Sequence, residues 1–239
     1  MNLIIDQGNT LFKTALFNGN ELISKSKFKY SEIKPFNDWM KKKIKGELKV
    51  IVSSVTNDII NLSEFDIEKQ ITLNPNTKLP IINKYRTPQT LGNDRIANAV
   101  ASWYLNPNKN SLIIDMGTCI KYDIITSNGE YIGGNISPGL QMRYKALNTF
   151  TDKLPLLNPN QTIQSFGTST TSSLECGVEL GIIHEIEGFI KQYELQFSHL
   201  TIFMTGGDAK HFDKSFKSAI FANSNLTLIG LNEILEYNG

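Results

Sequence analysis

Two short runs of consecutive apolar residues, Leu3-Ile4-Ile5 and Leu112-Ile113-Ile114, each end in an aspartate with a glycine two positions further on. Unbroken apolar runs of this kind predict strands buried on both faces. Each run has the same sequel. After Asp6-Gln7-Gly8-Asn9-Thr10, segments 12–17 and 21–26 flank Asn18-Gly19, a strong short hairpin signal. After Asp115-Met116-Gly117-Thr118, strand segments 119–126 and 130–132 flank Asn128-Gly129. From Asp6 to Asp115, and again from Gly8 to Gly117, the offset is 109 residues, too long for a solenoid period. The pattern therefore reads as a duplicated domain.

The rest of the chain alternates between strand and helix periods. A short helix is expected over 37–45 and a buried β-rich strand over 49–55. Residues 59–70 read as helical and 71–73 as a strand, while prolines at 75, 80 and 88 imply irregular crossings. Apolar positions 96, 99, 100 and 103 have helical spacing, with Asn93 or Asp94 as N-cap. The turn-rich segment 105–110 then divides a first domain, 1–108, from a second, 109–239. In the second, helices are expected over 140–150 and 171–196, the latter with Leu174, Val178, Ile182, Ile186 and Ile190 on one stripe. Between them, 152–166 reads as a loop. A strand at 201–205 stops at Gly206-Gly207-Asp208, and a strand at 226–229 and a helix at 232–237 close the α/β pattern.

Composition narrows the classes of function. With 24 basic and 23 acidic residues among 239, no global field points to nucleic acid or to an acidic membrane surface. Lys41-Lys42-Lys43 falls on a helical pattern and reads as a solvated face. Two cysteines, Cys119 and Cys176, make no disulfide framework and suit a reducing cytoplasm. There is no basic leader before a long apolar run, and no apolar stretch approaches the roughly 20 residues of a spanning helix. A soluble cytoplasmic protein is expected. His184, His199 and His211 lack ligand spacing, so no zinc site is expected. The absence of a G-x-x-x-x-G-K-[ST] loop and of a G-x-S-x-G elbow disfavours a P-loop kinase and an α/β-hydrolase.

The chemistry gathers at the ends of the two apolar runs. A carboxylate at the end of a buried strand is costly unless paired or holding a cation, and both Asp6 and Asp115 stand there. The glycine that follows lets a ligand approach the backbone, and Asn9, Thr10 and Thr118 offer donors to anionic oxygens. Two such turns facing each other across a cleft would grip a polyphosphate, with Asp6 holding magnesium directly or through water. The plain alternative is that both aspartates cap turns. Lys13 lies near the first turn, either reaching a phosphate or simply solvated. Asp94, beside Gly92 and Arg95 at an expected helix start, is either an N-cap or a base for an attacking hydroxyl. The glycine pairs Gly133-Gly134 and Gly206-Gly207, like Pro138-Gly139, mark either tight turns or close approach to a ligand.

A duplicated strand-Asp-x-Gly unit with a late Gly-Gly resembles the superfamily of sugar kinases, actin and Hsp70-type ATPases. The resemblance implies two duplicated ribonuclease H-like (actin-like ATPase) domains, each a mixed sheet flanked by helices, with an interdomain cleft. Asp6-Gln7-Gly8-Asn9-Thr10 with Lys13, Gly92-Asn93-Asp94-Arg95, Asp115-Met116-Gly117-Thr118, Gly133–Gly139 and Thr205-Gly206-Gly207 occur together in the order of type III pantothenate kinases. Within that resemblance, the activity is ATP-dependent phosphorylation of pantothenate to 4'-phosphopantothenate, the first step of coenzyme A biosynthesis. Asp94 is then the general base, and Asp6, Gln7, Gly8, Asn9, Thr10, Lys13 and Thr118 bind ATP. Tyr85, Gly92, Asn93, Asp94, Arg95 and Thr170 shape the pantothenate site. Asp6 serves magnesium, Asp115 a potassium or ammonium ion, and the working form is a homodimer. Two departures from the family pattern are Cys119 after Asp-x-Gly-Thr and Ser169 in place of an asparagine before Thr170. The competing expectations are a sugar- or acetate-type kinase with the same nucleotide cleft, and a non-catalytic actin-like ATP-binding regulator.

Overall fold

Strands form where the apolar runs lie. In the computed structural model, which describes residues 1–8, 11–56, 60–159, 164–212 and 215–239, the chain divides into two compact units. The first comprises Met1–Leu105 with Asn225–Gly239, and the second Asn106–Ser224.

The first unit opens with β1 (Asn2–Gln7), β2 (Leu11–Asn18) and β3 (Glu21–Lys29), continues through α1 (Ile33–Lys43) to β4 (Leu48–Ser54) and β5 (Ile67–Thr72), and then reaches a two-residue strand, β6 (Ile82–Asn83). Helix α2 (Asn93–Leu105) follows. The sheet order is β3-β2-β1-β4-β5, with β1 antiparallel to β2 and parallel to β4. Leu3, Ile5, Phe12, Leu16, Phe36, Met40 and Val50 fill its core. Phe12, Phe28 and Phe36 pack with ring centroids 5.2–5.6 Å apart.

The second unit repeats this order. Strands β7 (Ser111–Met116), β8 (Cys119–Ile125) and β9 (Glu130–Pro138) lead through α3 (Leu140–Thr149) and α4 (Thr170–Glu194) to β10 (Thr201–Thr205) and β11 (Ile220–Ala222). Their order is β11-β10-β7-β8-β9, so β7 is flanked as β1 is, by an antiparallel hairpin partner and a parallel strand. The expected stripe of α4 is buried: Leu174, Val178, Ile182, Ile186 and Ile190 all face the core.

Three expectations change. Residues 60–66 hold no helix, and 67–72 form β5, whose alternating exposure is the period of an edge strand paired parallel to β4. Ile59, where that helix was to begin, lies outside the described residues. Residues 226–229 are the first turn of one helix, α5 (Leu226–Tyr237), since Leu228, Leu231, Asn232 and Leu235 are buried at helical spacing. The last strand is β11. Helix α5 also lies with the first unit, whereas the boundary expected from sequence puts it in the second. It packs on α2 so closely that a Cβ on Gly230 would stand 1.7 Å from the carbonyl oxygen of Ala97. Thr227 Oγ1 donates to Asn98 Oδ1 at 2.8 Å across the same contact.

Candidate active site

The strand order carries the two Asp-x-Gly turns to equivalent places. Asp6 lies opposite Lys13 on one side and Ser53 on the other; Asp115 lies opposite Lys121 and Thr205. Each aspartate is thus set between a hydroxyl residue on a parallel strand and a lysine on the hairpin strand. The spacing differs by one residue, because the second turn is shorter: Gly8 N donates to Leu11 O, whereas Gly117 N donates to Cys119 O, both at 3.1 Å.

Asp6 and Gly8 are half-buried. Asp6 Oδ1 accepts from Ser53 Oγ at 3.2 Å, and Gly8 O accepts from Tyr30 Oη at 2.7 Å. Gln7 is buried and Lys13 exposed. Asn9 and Thr10 lie outside the described residues. A carboxylate with a hydroxyl beside it offers the hard oxygen atoms magnesium takes, and magnesium uses few protein ligands when phosphates supply others. Asp6 fits that ion.

The second turn is clamped by two further loops. A Cβ on Gly139 would stand 2.2 Å from Gly117 O and 2.5 Å from Thr118 O, and Gly139 N donates to Thr118 O at 3.0 Å. From the other side Gly206, at φ +101°, would bring a Cβ within 2.2 Å of Met116 O, and Asp208 N donates to that oxygen at 3.0 Å. What these two glycines allow is close approach of their own backbone to the turn at 116–118, neither a free-standing tight turn nor a contact with a ligand. Thr118 is left exposed at the tip.

Asp115 is buried and bonds Lys121 Nζ at 2.7 Å through Oδ2, with the two side chains 12% and 16% exposed. The potassium or ammonium ion that the resemblance implies at Asp115 would meet an ammonium already in place. Two unit positive charges about 4 Å apart repel by about 4 kcal/mol at an effective dielectric of 20. The residues present do not fit a second cation on that oxygen.

Asp94 sits in the first turn of α2, where Arg95 N donates to its Oδ1 at 2.9 Å. Arg95 is buried, and its guanidinium lies 5.4 Å from the centroid of the Tyr85 ring, within cation–π range. Asn93 Nδ2 donates to Leu73 O at 3.2 Å, and Leu73 N donates to Val52 O at 2.8 Å. Through Val52 and its neighbour Ser53, the start of α2 is tied to the strand that supports Asp6. Thr170 belongs to the second unit. It is the first residue of α4, exposed beside a depression of ≈ 700 Å³ that Leu154, Gly167 and Ser173 also line. Ser169, at its N-cap, forms a capping box with Ser172.

The two Asp-x-Gly turns were legible because motif and strand end coincide. Lys121, Ser53 and Thr205 were missed as partners of the aspartates. The signal for Lys121 was present: Lys13 to Lys121 is an offset of 108, one less than from Asp6 to Asp115, and aligning the strands instead of the turns brings the lysines together.

Solved structures place the fold. Over 99% of this chain and 98% of the other, it is similar to a structure from Campylobacter jejuni described as a Baf family transcriptional activator, with a TM-score of 0.62 and 22% identity. A glucokinase from an Antarctic psychrotroph matches over the same shares of the two chains, with a TM-score of 0.54 and 12% identity. Likeness at these identities shows the fold alone, a fold this chain shares with sugar kinases.

Sequence then narrows the class to a family. The description of type III pantothenate kinase matches residues 2–192. The type III pantothenate kinase of Christiangramia forsetii is 46% identical over all of this chain and 99% of its own length, and that of Phocaeicola vulgatus is 41% identical with the same coverage. The chain belongs to the type III pantothenate kinase family.

Proposed function

We propose that this chain transfers the γ-phosphoryl group of ATP to the primary hydroxyl of pantothenate, giving 4'-phosphopantothenate, the first step of coenzyme A biosynthesis. Family membership supports the activity. The observation that carries the assignment of roles is the placing of Asp6 and Asp115 at one position of two like sheets, with Asp94 on a separate helix start.

In this reading the turn from Asp6 to Thr10, with Lys13, binds the ATP phosphates, and Thr118 contacts the nucleotide. Magnesium, held by Asp6 directly or through water, supplies charge neutralisation on the phosphates when bound. Asp94 accepts the proton as the hydroxyl oxygen bonds to the γ-phosphorus and the bond to the β,γ-bridging oxygen breaks. Phosphoryl transfer asks chiefly for alignment, and Arg95 packed on Tyr85 fixes the segment around Asp94. Gly92, Asn93, Arg95 and Tyr85 line pantothenate. Thr170, at the first turn of α4, binds it at an end of the helix suited to a carboxylate. At Asp115 the positive charge of a monovalent cation is already supplied by Lys121.

The working form is a homodimer in a reducing cytoplasm. Phe166, four residues before α4, and Leu195, its C-cap, are 70% and 83% exposed. Among the described residues, no helix is long and apolar enough to cross a membrane.

The test is a direct assay of ATP-dependent phosphorylation of pantothenate against a panel of sugars and acetate, repeated with Asp94→Asn. Turnover of pantothenate alone is expected, with kcat lowered by about 10²- to 10⁴-fold in the variant. Turnover of a sugar instead would reassign the acceptor, and an undiminished Asp94→Asn rate would remove Asp94 as the base.

A further inference from the structure

We infer that Lys121 is this enzyme's own monovalent cation: its ammonium, tethered to the strand opposite Asp115, takes the place of potassium or ammonium, and turnover needs neither ion. The inference deepens the kinase reading and rests on it for its catalytic arm.

The strand register compels the pairing. Asp115 and Lys121 are direct cross-strand partners in β7 and β8, so their side chains rise from the same face of the sheet. A carboxylate at a buried strand position needs a positive partner, and Lys121 Nζ supplies one at 2.7 Å. An alkylammonium matches the ammonium ion in charge and in donor chemistry, and differs in being covalently held. Holding it costs no translational freedom at each turnover.

The other copy of the repeat shows what has changed. Lys13 holds the same place in the first sheet, yet it is exposed, and Asp6 is half-buried and bonded to Ser53. In the second sheet the lysine turns inward onto its aspartate, and Gly139 and Gly206 close two loops over that turn. One lysine is left for a phosphate; the other has become part of the site's wall. Thr118, three residues from each member of the pair, is the group whose position the pair fixes.

The experiment compares wild-type enzyme and Lys121→Met in potassium, ammonium, sodium and choline salts at matched ionic strength. It measures pantothenate phosphorylation and, separately, the Tm of the unliganded protein. Wild-type rates are expected to agree across the four salts. Lys121→Met should lose at least about tenfold in choline, the scale of one charged hydrogen-bond partner, and recover in potassium or ammonium but not in sodium. Its Tm should rise with potassium, where the wild-type Tm does not. Wild-type activity that depends on potassium overturns the inference, as does a Lys121→Met enzyme that is fully active in choline. Should the variant fail to fold, the wild-type salt series decides alone. Absence of pantothenate turnover in every salt counts against the kinase reading instead, and the Tm comparison then still decides the role of Lys121.

Discussion

At the scale of single residues, the site depends on where atoms are missing as much as on where they are. Gly92 is an example. A Cβ there would stand 2.6 Å from Asp94 Oδ1, too close for contact, and the atom it meets is the end of a side chain that can rotate away. Gly92→Ala should therefore leave the fold intact and displace the carboxylate. The stability change is expected to be small or favourable, since removing glycine reduces unfolded-state freedom by about 0.4–1 kcal/mol. The kinetic change is expected to be large, because a shift of about 1 Å in a reacting group costs on the order of 10²-fold. Calorimetry beside steady-state kinetics separates the two. An unchanged Tm with an unchanged kcat would mean that the position of Asp94 does not matter to the chemistry. Asp94 and Gly92 were readable as a motif, but the reason for the glycine was not, since it lies in a distance between side chain and backbone that no spacing encodes.

At the scale of elements, hydrogen bonds to one carboxylate draw together four pieces of the second unit. Glu185 on α4 accepts from Tyr122 Oη of β8 at 2.6 Å, from Ser137 Oγ of β9 at 2.5 Å and from Arg143 of α3 at 2.5 Å. Burial acts to raise the Glu185 pKa, but the hydrogen bonds from Ser137, Tyr122 and Arg143, with the Arg143 charge, outweigh it and hold the carboxyl below its ordinary value of 4.5. The contribution to stability is then present above that value and is lost as pH falls through the lowered one. Acid titration followed by near-ultraviolet circular dichroism should show wild type losing stability below the ordinary carboxyl range. Glu185→Gln should be less stable at neutral pH and show a shallower acid limb. An identical acid limb would assign the transition to other carboxylates. None of this was visible in the sequence, where Glu185 is one polar position on an amphipathic helix. The helix itself was legible nearly to its ends because its apolar stripe holds one period from Leu174 to Ile190, whereas β5, with Ile67, Lys69 and Ile71 alternating along six residues, was too short to outvote a helical reading.

At the scale of the molecule, duplication explains the two sheets, and the last helix shows where duplication departs from chain order. The repeat was legible because each copy begins with the same buried strand; the first unit runs to Leu105 and resumes at Asn225. The return of the chain was not legible, since what α5 packs against depends on partners more than 100 residues away. Its buried Leu226, Leu228, Leu231, Ile234 and Leu235 contribute to the first unit, and Asn232 accepts from Asn2 on β1 at 2.9 Å. Burying a side chain of this size stabilises by about 1.5–3 kcal/mol, so five contribute roughly 8–15 kcal/mol, as much as the whole stability of an ordinary domain. A chain ending at Ser224 should therefore lose the first unit and keep the second. Hydrogen exchange resolved by peptide tests this directly. Amides of β1, β4 and α2 should exchange at the rate of unfolded chain, while those of β7, β10 and α4 stay protected. Equal protection of both units in the shortened chain would show that α5 is only an accessory to the first, and that Asp94 is held in place without it.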